Sequence, residues 1–169
     1  DVKDNNSWLS SMWEQRFKVI KAANFIINNA GRTPDVSEDE IKVAVGQAHY
    51  WRAYSYFYLV TTWGPVPVML EEEINYNAPL KSEEEVYELI LSDLKIAESD
   101  CPVMYDKEPY ARNGINIAVS KGAVKATMAY VYMCMAGWPL NKGQEYYKLA
   151  ASKAREVIDG VENGTYYYD

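Results

Sequence analysis

The segment from residue 47 to residue 68 constrains the fold most, because it is rich in aromatic residues on every side and ends abruptly. It reads QAHYWRAYSYFYLVTTWGPVPV. A helix without a polar face must be wrapped by other helices. Trp63-Gly64-Pro65 should end this helix, since glycine suits a C-cap and proline cannot continue the hydrogen-bond ladder. The segment therefore predicts a buried central helix, with structural roles for Arg52, Trp63, Gly64, Pro65 and Pro67.

Helical periodicity and capping signals predict four further helices around the central one. The first should run from residue 7 to 29, the central helix from 38 to 62, and the others from 83, from 121 to 136 and from 143 to 159. Ser37 with Glu40 and Ser82 with Glu85 form capping-box patterns, and Gly160 should stop the last helix. Residues 64–81 and 102–119 are predicted to be irregular connections.

The last two predicted helices share features with a tetratricopeptide hairpin. Alanine and tyrosine lie in the first helix, and alanines recur at four-residue spacing in the second, without a strict thirty-four-residue period. We therefore expect an all-α fold, with tetratricopeptide-like hairpins stacked in a right-handed superhelix and long irregular loops. A length of 169 residues suits one helical domain, residues 1–169, which we expect to be a fragment of a longer chain.

The composition excludes several functional classes. Seventeen basic against 24 acidic residues give a formal charge of −7, which opposes nucleic acid as a partner. His49 is the single histidine, so neither a histidine-rich zinc site nor an HExxH pair can form. A glycine-rich phosphate loop and a GxSxG elbow are also missing. The sequence therefore predicts no catalytic residues, metal site or cofactor, and a protein that is not an enzyme.

Polar and sulfur-containing residues in the predicted helices have structural interpretations. His49 should be a hydrogen-bonded residue of the core or its boundary. Arg52 should bond carboxylates or carbonyls of neighbouring helices and stack on rings such as Tyr56, because an unpaired buried guanidinium is costly. Cys101 and Cys134 could form a disulfide if the protein is exported, but we favour two free cysteines.

Motifs along nearly the whole chain resemble those of the SusD/RagB family of surface nutrient-binding lipoproteins from Bacteroidetes. The central segment carries the most specific match, "RAYSYFYLVTTWGPVPV". Upstream, the first helix resembles the family pattern W-x-x-x-Y-x-x-I-x-x-A-N through Trp13, Ile20, Ala23 and Asn24, with Phe17 replacing the usual tyrosine. Downstream matches begin at Ser82-Glu83-Glu84-Glu85-Val86-Tyr87, at Ser120-Lys121-Gly122-Ala123 and at Tyr147, and extend to Gly164-Thr165-Tyr166.

The resemblance implies a function in nutrient uptake. Such proteins bind an oligosaccharide or other nutrient and deliver it to a SusC-like TonB-dependent outer-membrane transporter, without cleaving any bond. The implied location is the extracellular face of the outer membrane. Attachment would occur only through a lipid anchor outside this chain. The match is silent about the identity of the ligand.

Ligand contacts, if this chain makes them, should come from the loops, because aromatic residues on helices mostly pack in the core. Sugar rings stack on aromatic faces, and their hydroxyls bond planar polar side chains. The candidates are Asn75, Tyr76 and Asn77 in one loop, and Tyr105, Tyr110, Arg112 and Asn113 in the other. We nevertheless expect this chain to be mainly scaffold.

Two other functions remain open on the sequence alone. The first is a tetratricopeptide-like scaffold that binds a protein or peptide and no glycan. The second is a glycan-processing enzyme whose catalytic residues lie beyond residue 169.

Overall fold

The computed structural model describes residues 7–73, 75, 77–105, 111–112 and 115–166, with backbone alone for residues 112, 115 and 116. This part of the chain forms helices α1 (Ser7–Asn29), α2 (Glu38–Trp63), α3 (Glu83–Asp100), α4 (Lys121–Ala136) and α5 (Gln144–Glu162). A short 3-10 helix, Ala30–Arg32, follows α1. The strands are β1 (Val66–Pro67), β2 (Leu80–Lys81), β3 (Ala111–Arg112) and β4 (Ile115–Asn116). The predicted all-α fold with irregular connections is confirmed.

The helices begin where their capping residues place them. The Ser37 hydroxyl accepts a hydrogen bond from the Glu40 amide, and the Glu40 carboxylate accepts one from the Ser37 amide at 3.0 Å. Ser82 and Glu85 repeat this reciprocal pair at the start of α3, with a 2.9 Å bond from the Ser82 amide. Each box satisfies backbone donors that the first helical turn would otherwise leave unpaired. Both predicted capping boxes are confirmed.

Helix α2 is the centre of the fold. It packs chiefly against α1 and α3, while α4 packs against α3 and α5. Ala53, Tyr56 and Leu59 are fully buried along α2, and one core cluster joins buried side chains from all five helices. Trp51 and Tyr54 of the same helix are 45% and 36% exposed, so neighbouring helices cover one side of the aromatic surface and not, as the sequence had predicted, all of it. Within the described residues, no helix is both long enough and apolar enough to cross a membrane.

The end of α2 follows the expected chemistry. The helix stops at Trp63, whose ring meets Trp13 of α1 edge-on with 5.3 Å between ring centroids. Gly64 caps it with a φ of 72°, a left-handed conformation that favours glycine, and its amide donates to the Val60 carbonyl at 2.9 Å. Pro67 then lies buried in β1.

Two short antiparallel ribbons organise the connections, which the sequence predicted only as irregular. Val66 pairs with Lys81 and Pro67 with Leu80, so β1 and β2 bring the two ends of loop 68–79 together. Strands β3 and β4 pair in the same manner within the second connection. Two-residue strands leave no periodic signal, so only the fold shows that the first loop is closed at its base.

Gly160 does not stop α5, which corrects the prediction. The helix continues to Glu162, and the Tyr166 amide returns to donate to the Gly160 carbonyl at 2.9 Å. The Tyr166 ring lies against Gly160 and Gly122, where a side-chain Cβ at Gly160 would overlap the ring. The glycine therefore permits a close approach between helix and ring instead of ending the helix.

Helix α5 packs on α4 and buries two of its residues, Ala150 in the core cluster and Gly160, and ion pairs join its polar edge to two other helices. The Lys153 ammonium lies 2.7 Å from a Glu98 carboxylate oxygen of α3 and 3.1 Å from Glu156. Lys125 of α4 also reaches Glu156, at 2.9 Å. This ion-pair network links α3, α4 and α5.

Both cysteines are free, as favoured from the sequence. Cys101 is buried at the C-cap of α3, and burial raises the pKa of its thiol to about 11. Cys134 is partly buried in α4, where burial likewise raises its pKa. The fold therefore holds these residues as small apolar groups.

Candidate binding cleft

The loop that β1 and β2 close at its base forms the wall of an open surface cleft. The cleft has a volume of about 790 Å³ and is lined by residues 68–73 together with Asn75 and Ala78. Leu70, Glu71 and Glu73 of this wall are exposed. The wall thus offers apolar surface beside carboxylate acceptors, a combination that suits the mixed surface of a small polar ligand.

Two helices hold the loop by its backbone. The Asn24 amide group of α1 donates to the Met69 and Glu71 carbonyls at 3.0 and 2.9 Å. The Tyr56 hydroxyl of α2 donates to the Met69 carbonyl at 3.0 Å and accepts from the Met69 amide at 2.7 Å. Burial raises the pKa of Tyr56 to about 12, so its hydroxyl keeps the proton that it donates. Backbone bonds from two packed helices leave this part of the wall little freedom.

A buried charged network orients the Asn24 side chain. Arg52 donates from Nη1 to Asn24 Oδ1 at 2.9 Å, and from Nε and Nη2 to the two Asp93 oxygens at 2.8 and 2.7 Å. His49 Nδ1 lies 2.7 Å from Asp93 Oδ1, and this nitrogen donates because an ionised carboxylate can only accept. All four residues are at most 7% exposed. Three helices are therefore joined to the loop by one chain of hydrogen bonds.

The network confirms the hydrogen-bonded interpretation of His49 and the carboxylate pairing predicted for Arg52. The expected stacking of Arg52 on Tyr56 was wrong as far as the described residues show. Tyr56 is close enough for the guanidinium to favour its ionised form, yet the close cation–ring contact found lies between Arg16 and Tyr58, at 4.3 Å. The N–H groups of Arg52 donate to Asp93 and Asn24 instead, because a bidentate carboxylate satisfies a buried guanidinium better than an aromatic ring does.

The first group of candidate ligand residues lies at this cleft, as far as it is described. Asn75 is exposed and lines the cleft, and its side-chain oxygen accepts from the Asn77 amide at 2.9 Å. Asn77 is exposed on the same turn. Tyr76 lies outside the described residues. Asn75 therefore shapes the turn with its side-chain oxygen.

The second group is not brought together as a described site. Tyr105 is 7% exposed, and its hydroxyl donates to the Val119 carbonyl at 2.7 Å. This corrects its expected place on the surface, and its ligand role stays a prediction. Arg112 belongs to β3, but its side chain lies outside the described part of the chain, as do Tyr110 and Asn113. Ligand roles for these three stay predictions.

Sequence reasoning missed several residues of the cleft. Glu71, Glu72 and Glu73 form a run of three acidic residues in a turn-rich connection of the sequence, but they were not among the candidate ligand residues. Glu72 accepts from the Asn29 side chain of α1 at 2.6 Å. The sequence analysis gave no role in the cleft to Asn24 or Asp93, although a polar residue on an otherwise apolar helix face indicates a buried hydrogen-bond partner.

The chemistry of the cleft favours hydroxyl donors. Carboxylates accept hydrogen bonds and the Asn75 amide can donate them, so several hydroxyl groups of one polyhydroxylated ligand can form hydrogen bonds in the cleft. Within the described ranges, no three His, Cys, Asp or Glu side chains are grouped to hold a metal ion. The carboxylates of the wall and the Asn75 amide support binding through hydrogen bonds.

Comparison with known proteins places the chain among glycan-associated relatives. Residues 1–133 match the SusD-like_3 family, described as "Starch-binding associating with outer membrane". A SusD-like protein of Bacteroides ovatus is 31% identical over 173 residues, which cover 95% of this chain and 30% of that protein. The chain thus spans about three tenths of the length of this curated relative.

Solved structures show the same fold. A SusD superfamily protein from Parabacteroides distasonis superposes with a TM-score of 0.82 at 28% identity, covering 94% of this chain and 33% of that one. A crystal structure with xylogluco-oligosaccharide gives a TM-score of 0.79 at 28% identity, covering 94% and 31% respectively. Together with the motifs along the sequence and the match over residues 1–133, these similarities show that the chain belongs to the SusD-like family.

Proposed function

We propose that this chain is the helical portion of a longer cell-surface lipoprotein that captures an oligosaccharide without cleaving it. The observation that carries the proposal is the likeness to a structure with xylogluco-oligosaccharide, at a TM-score of 0.79 and 28% identity. The open cleft beside Asn75 supports it, because its acceptors suit sugar hydroxyls. The whole 1–169 region acts as one domain in this proposal, mainly as scaffold.

Delivery to a SusC-like TonB-dependent transporter is the second part of the proposal. The family's description as associating with the outer membrane supports this location. The lipid anchor lies outside these residues, and the protein faces the extracellular side. Co-purification of the transporter with the anchored protein from detergent-solubilised outer membranes tests this part, and recovery of the protein without any transporter contradicts it.

Affinity electrophoresis tests glycan capture directly. The intact mature protein and the 169-residue chain are run side by side through gels that contain plant, host or microbial polysaccharides, including xyloglucan. Retardation of the intact protein alone supports glycan capture with the main binding platform outside these residues. Retardation of both makes the cleft and its loop the sites to mutate. Migration of both proteins as in a polysaccharide-free gel, on every glycan, refutes the glycan assignment.

A second candidate function is a tetratricopeptide-like scaffold, favoured by one apolar groove between α1 and α2. The groove has a volume of about 340 Å³ and is lined by apolar and small residues of both helices and by Gln47, with Trp51 at 45% exposure. Its occupant in this alternative is an amphipathic helix of a partner protein, packed on Trp51 and Ile26. A protein that co-purifies with the wild type and is lost in a Trp51→Ala variant, together with no retardation of the wild type by any glycan, would favour this function.

A further inference from the structure

We infer that Arg52 and Asn24 are positioning residues for the cleft. Arg52 orients the Asn24 amide, and Asn24 in turn fixes the backbone of residues 69–71 in the shape that meets a ligand. The inference rests on the proposed glycan-binding function in one respect, the nature of the ligand. The positioning itself rests on the hydrogen bonds between these residues.

The orientation of the Asn24 amide follows from the chemistry of its partners. A guanidinium offers only donors, so the atom facing Arg52 Nη1 at 2.9 Å must be the amide oxygen. Both amide hydrogens then point at acceptors, the carbonyls of Met69 and Glu71. A reversed amide would place donor against donor at Arg52 and acceptor against acceptor at the loop. Arg52 therefore acts on the loop through Asn24.

Asp93 keeps Arg52 in the position that this task requires. Its two oxygens accept from Nε and Nη2, which leaves Nη1 directed at Asn24. The guanidinium is planar and rigid, so fixing two of its nitrogens fixes the third. Asp93 is 1% exposed and Asn24 is 1% exposed, so water does not compete for these bonds.

The held carbonyls determine what the wall presents to the cleft. With residues 69 and 71 bonded inward by their backbone, Leu70 is 43% exposed and Glu71 and Glu73 are exposed. A wall that is ordered before binding avoids the entropy loss of ordering it afterwards. The buried network thus contributes to binding without contacting the ligand.

The decisive variant is Asn24→Asp in the intact protein. Its carboxylate can still accept from Arg52, so the link between α1 and α2 is kept, but it can no longer donate to the two loop carbonyls. Val131→Ala is the matched control, because it removes core volume in α4 at a fully buried site away from the loop. Thermal unfolding followed by circular dichroism measures the overall stability of both variants.

Hydrogen–deuterium exchange of residues 68–73 and retardation in xyloglucan gels are the two readouts. We expect Asn24→Asp to accelerate loop exchange about tenfold to hundredfold, equivalent to about 1.4–2.8 kcal/mol, and to reduce retardation. We expect Val131→Ala to lower the melting temperature while leaving loop exchange and retardation unchanged. That difference separates positioning from a general loss of stability.

Two results would overturn the inference. One is loop exchange in Asn24→Asp at the wild-type rate, and the other is equal acceleration in Val131→Ala. If Asn24→Asp accelerates loop exchange but the protein is still retarded as strongly as wild type, the link between loop order and glycan binding is overturned. If no polysaccharide retards the wild-type protein, the proposed glycan function is overturned, and with it the glycan as the ligand of this cleft. The hydrogen–deuterium exchange result still decides whether Asn24 positions the loop.

Discussion

Replacing Asp93 by asparagine should destabilise the fold strongly, although the shape of the side chain is kept. Asp93 is 1% exposed and is bonded by Arg52 at 2.7 and 2.8 Å and by His49 at 2.7 Å. An asparagine has one acceptor oxygen, so its amide nitrogen would face a donor of Arg52 or His49. The Arg52 charge would also lose its counter-charge inside the core.

The size of the effect follows from the burial of the pair. Removing one partner of a buried ion pair costs about 3–5 kcal/mol, because the remaining charge stays desolvated. A domain of ordinary stability, about 5–15 kcal/mol, would lose a large share of its unfolding free energy. At about 2–4 °C per kcal/mol for a chain of this size, the melting temperature should fall by roughly 6–20 °C.

A double variant distinguishes the cost of an unpaired charge from the value of the pair. Asp93→Leu combined with Arg52→Met replaces the pair by apolar side chains, a change that is often neutral or stabilising. The Asn24 oxygen then lacks a donor and His49 Nδ1 lacks an acceptor, and each unsatisfied group costs about 1–3 kcal/mol. We therefore expect the double variant to be more stable than the sum of its single changes predicts, because only the double change removes both buried charges.

Urea unfolding followed by circular dichroism at 222 nm provides the free energies by linear extrapolation. His49→Gln is a useful comparison, because it removes one bond to Asp93 and leaves the Arg52 charge paired. A free energy of unfolding for Asp93→Asn within about 1 kcal/mol of the wild-type value would refute the reasoning. Additive losses in the double variant would also refute it, because they would show no coupling between the two charges.

Three further predictions concern the edges of the fold. Gly160→Ala should lower the free energy of unfolding by about 1–3 kcal/mol, because the new methyl group overlaps the Tyr166 ring. Adding Tyr166→Ala should restore stability by removing the ring. A Gly160→Ala variant as stable as wild type in thermal unfolding would contradict the predicted overlap. Hydrogen bonds from Lys81 and the helix cap lower the pKa of Glu85 from its ordinary 4.5 to about 2. The contribution of ionised Glu85 to the stability of the fold is therefore complete above pH 4.5 and is lost as the pH falls toward 2. Glu85→Gln should therefore flatten acid unfolding in that window, and an unchanged profile opposes the assignment. Cys101, with a pKa raised to about 11 by burial, should resist a thiol reagent at pH 8 until denaturant is added, whereas immediate labelling would show an exposed thiol.

Local chemistry was predictable from the sequence because its determinants lie a few residues apart. Ser37 and Glu40 define a helix start within one turn, and Trp63-Gly64 defines an end in the same way. For Arg52 the sequence indicated the class of partner, since a buried guanidinium needs an acceptor. It could not indicate Asp93, which lies 41 residues away and meets Arg52 only through the packing of α2 on α3.

The cleft was predictable only in part for the same reason. Its loop was recognised from Asn75 and its neighbours, but the wall depends on the pairing of β1 with β2 and on Asn24, 45 residues before Met69. The position of Tyr105 in a connection suggested exposure, whereas its ring is buried and its hydroxyl donates to the Val119 carbonyl. A residue's place between helices does not determine its burial.

The attachment of α5 has a consequence for how the protein loses its structure. With two buried residues and an edge held by Lys125 and Lys153, the helix relies on ion pairs that dissolved salt weakens. Helix α5 contributes only Ala150 to the shared apolar core, with Tyr146 packed beside it, whereas α1 to α4 contribute the other buried side chains of that core, whose burial salt does not weaken. Rising ionic strength should therefore loosen α5 as a separate unit of local unfolding, while α1 to α3 and their loop stay folded.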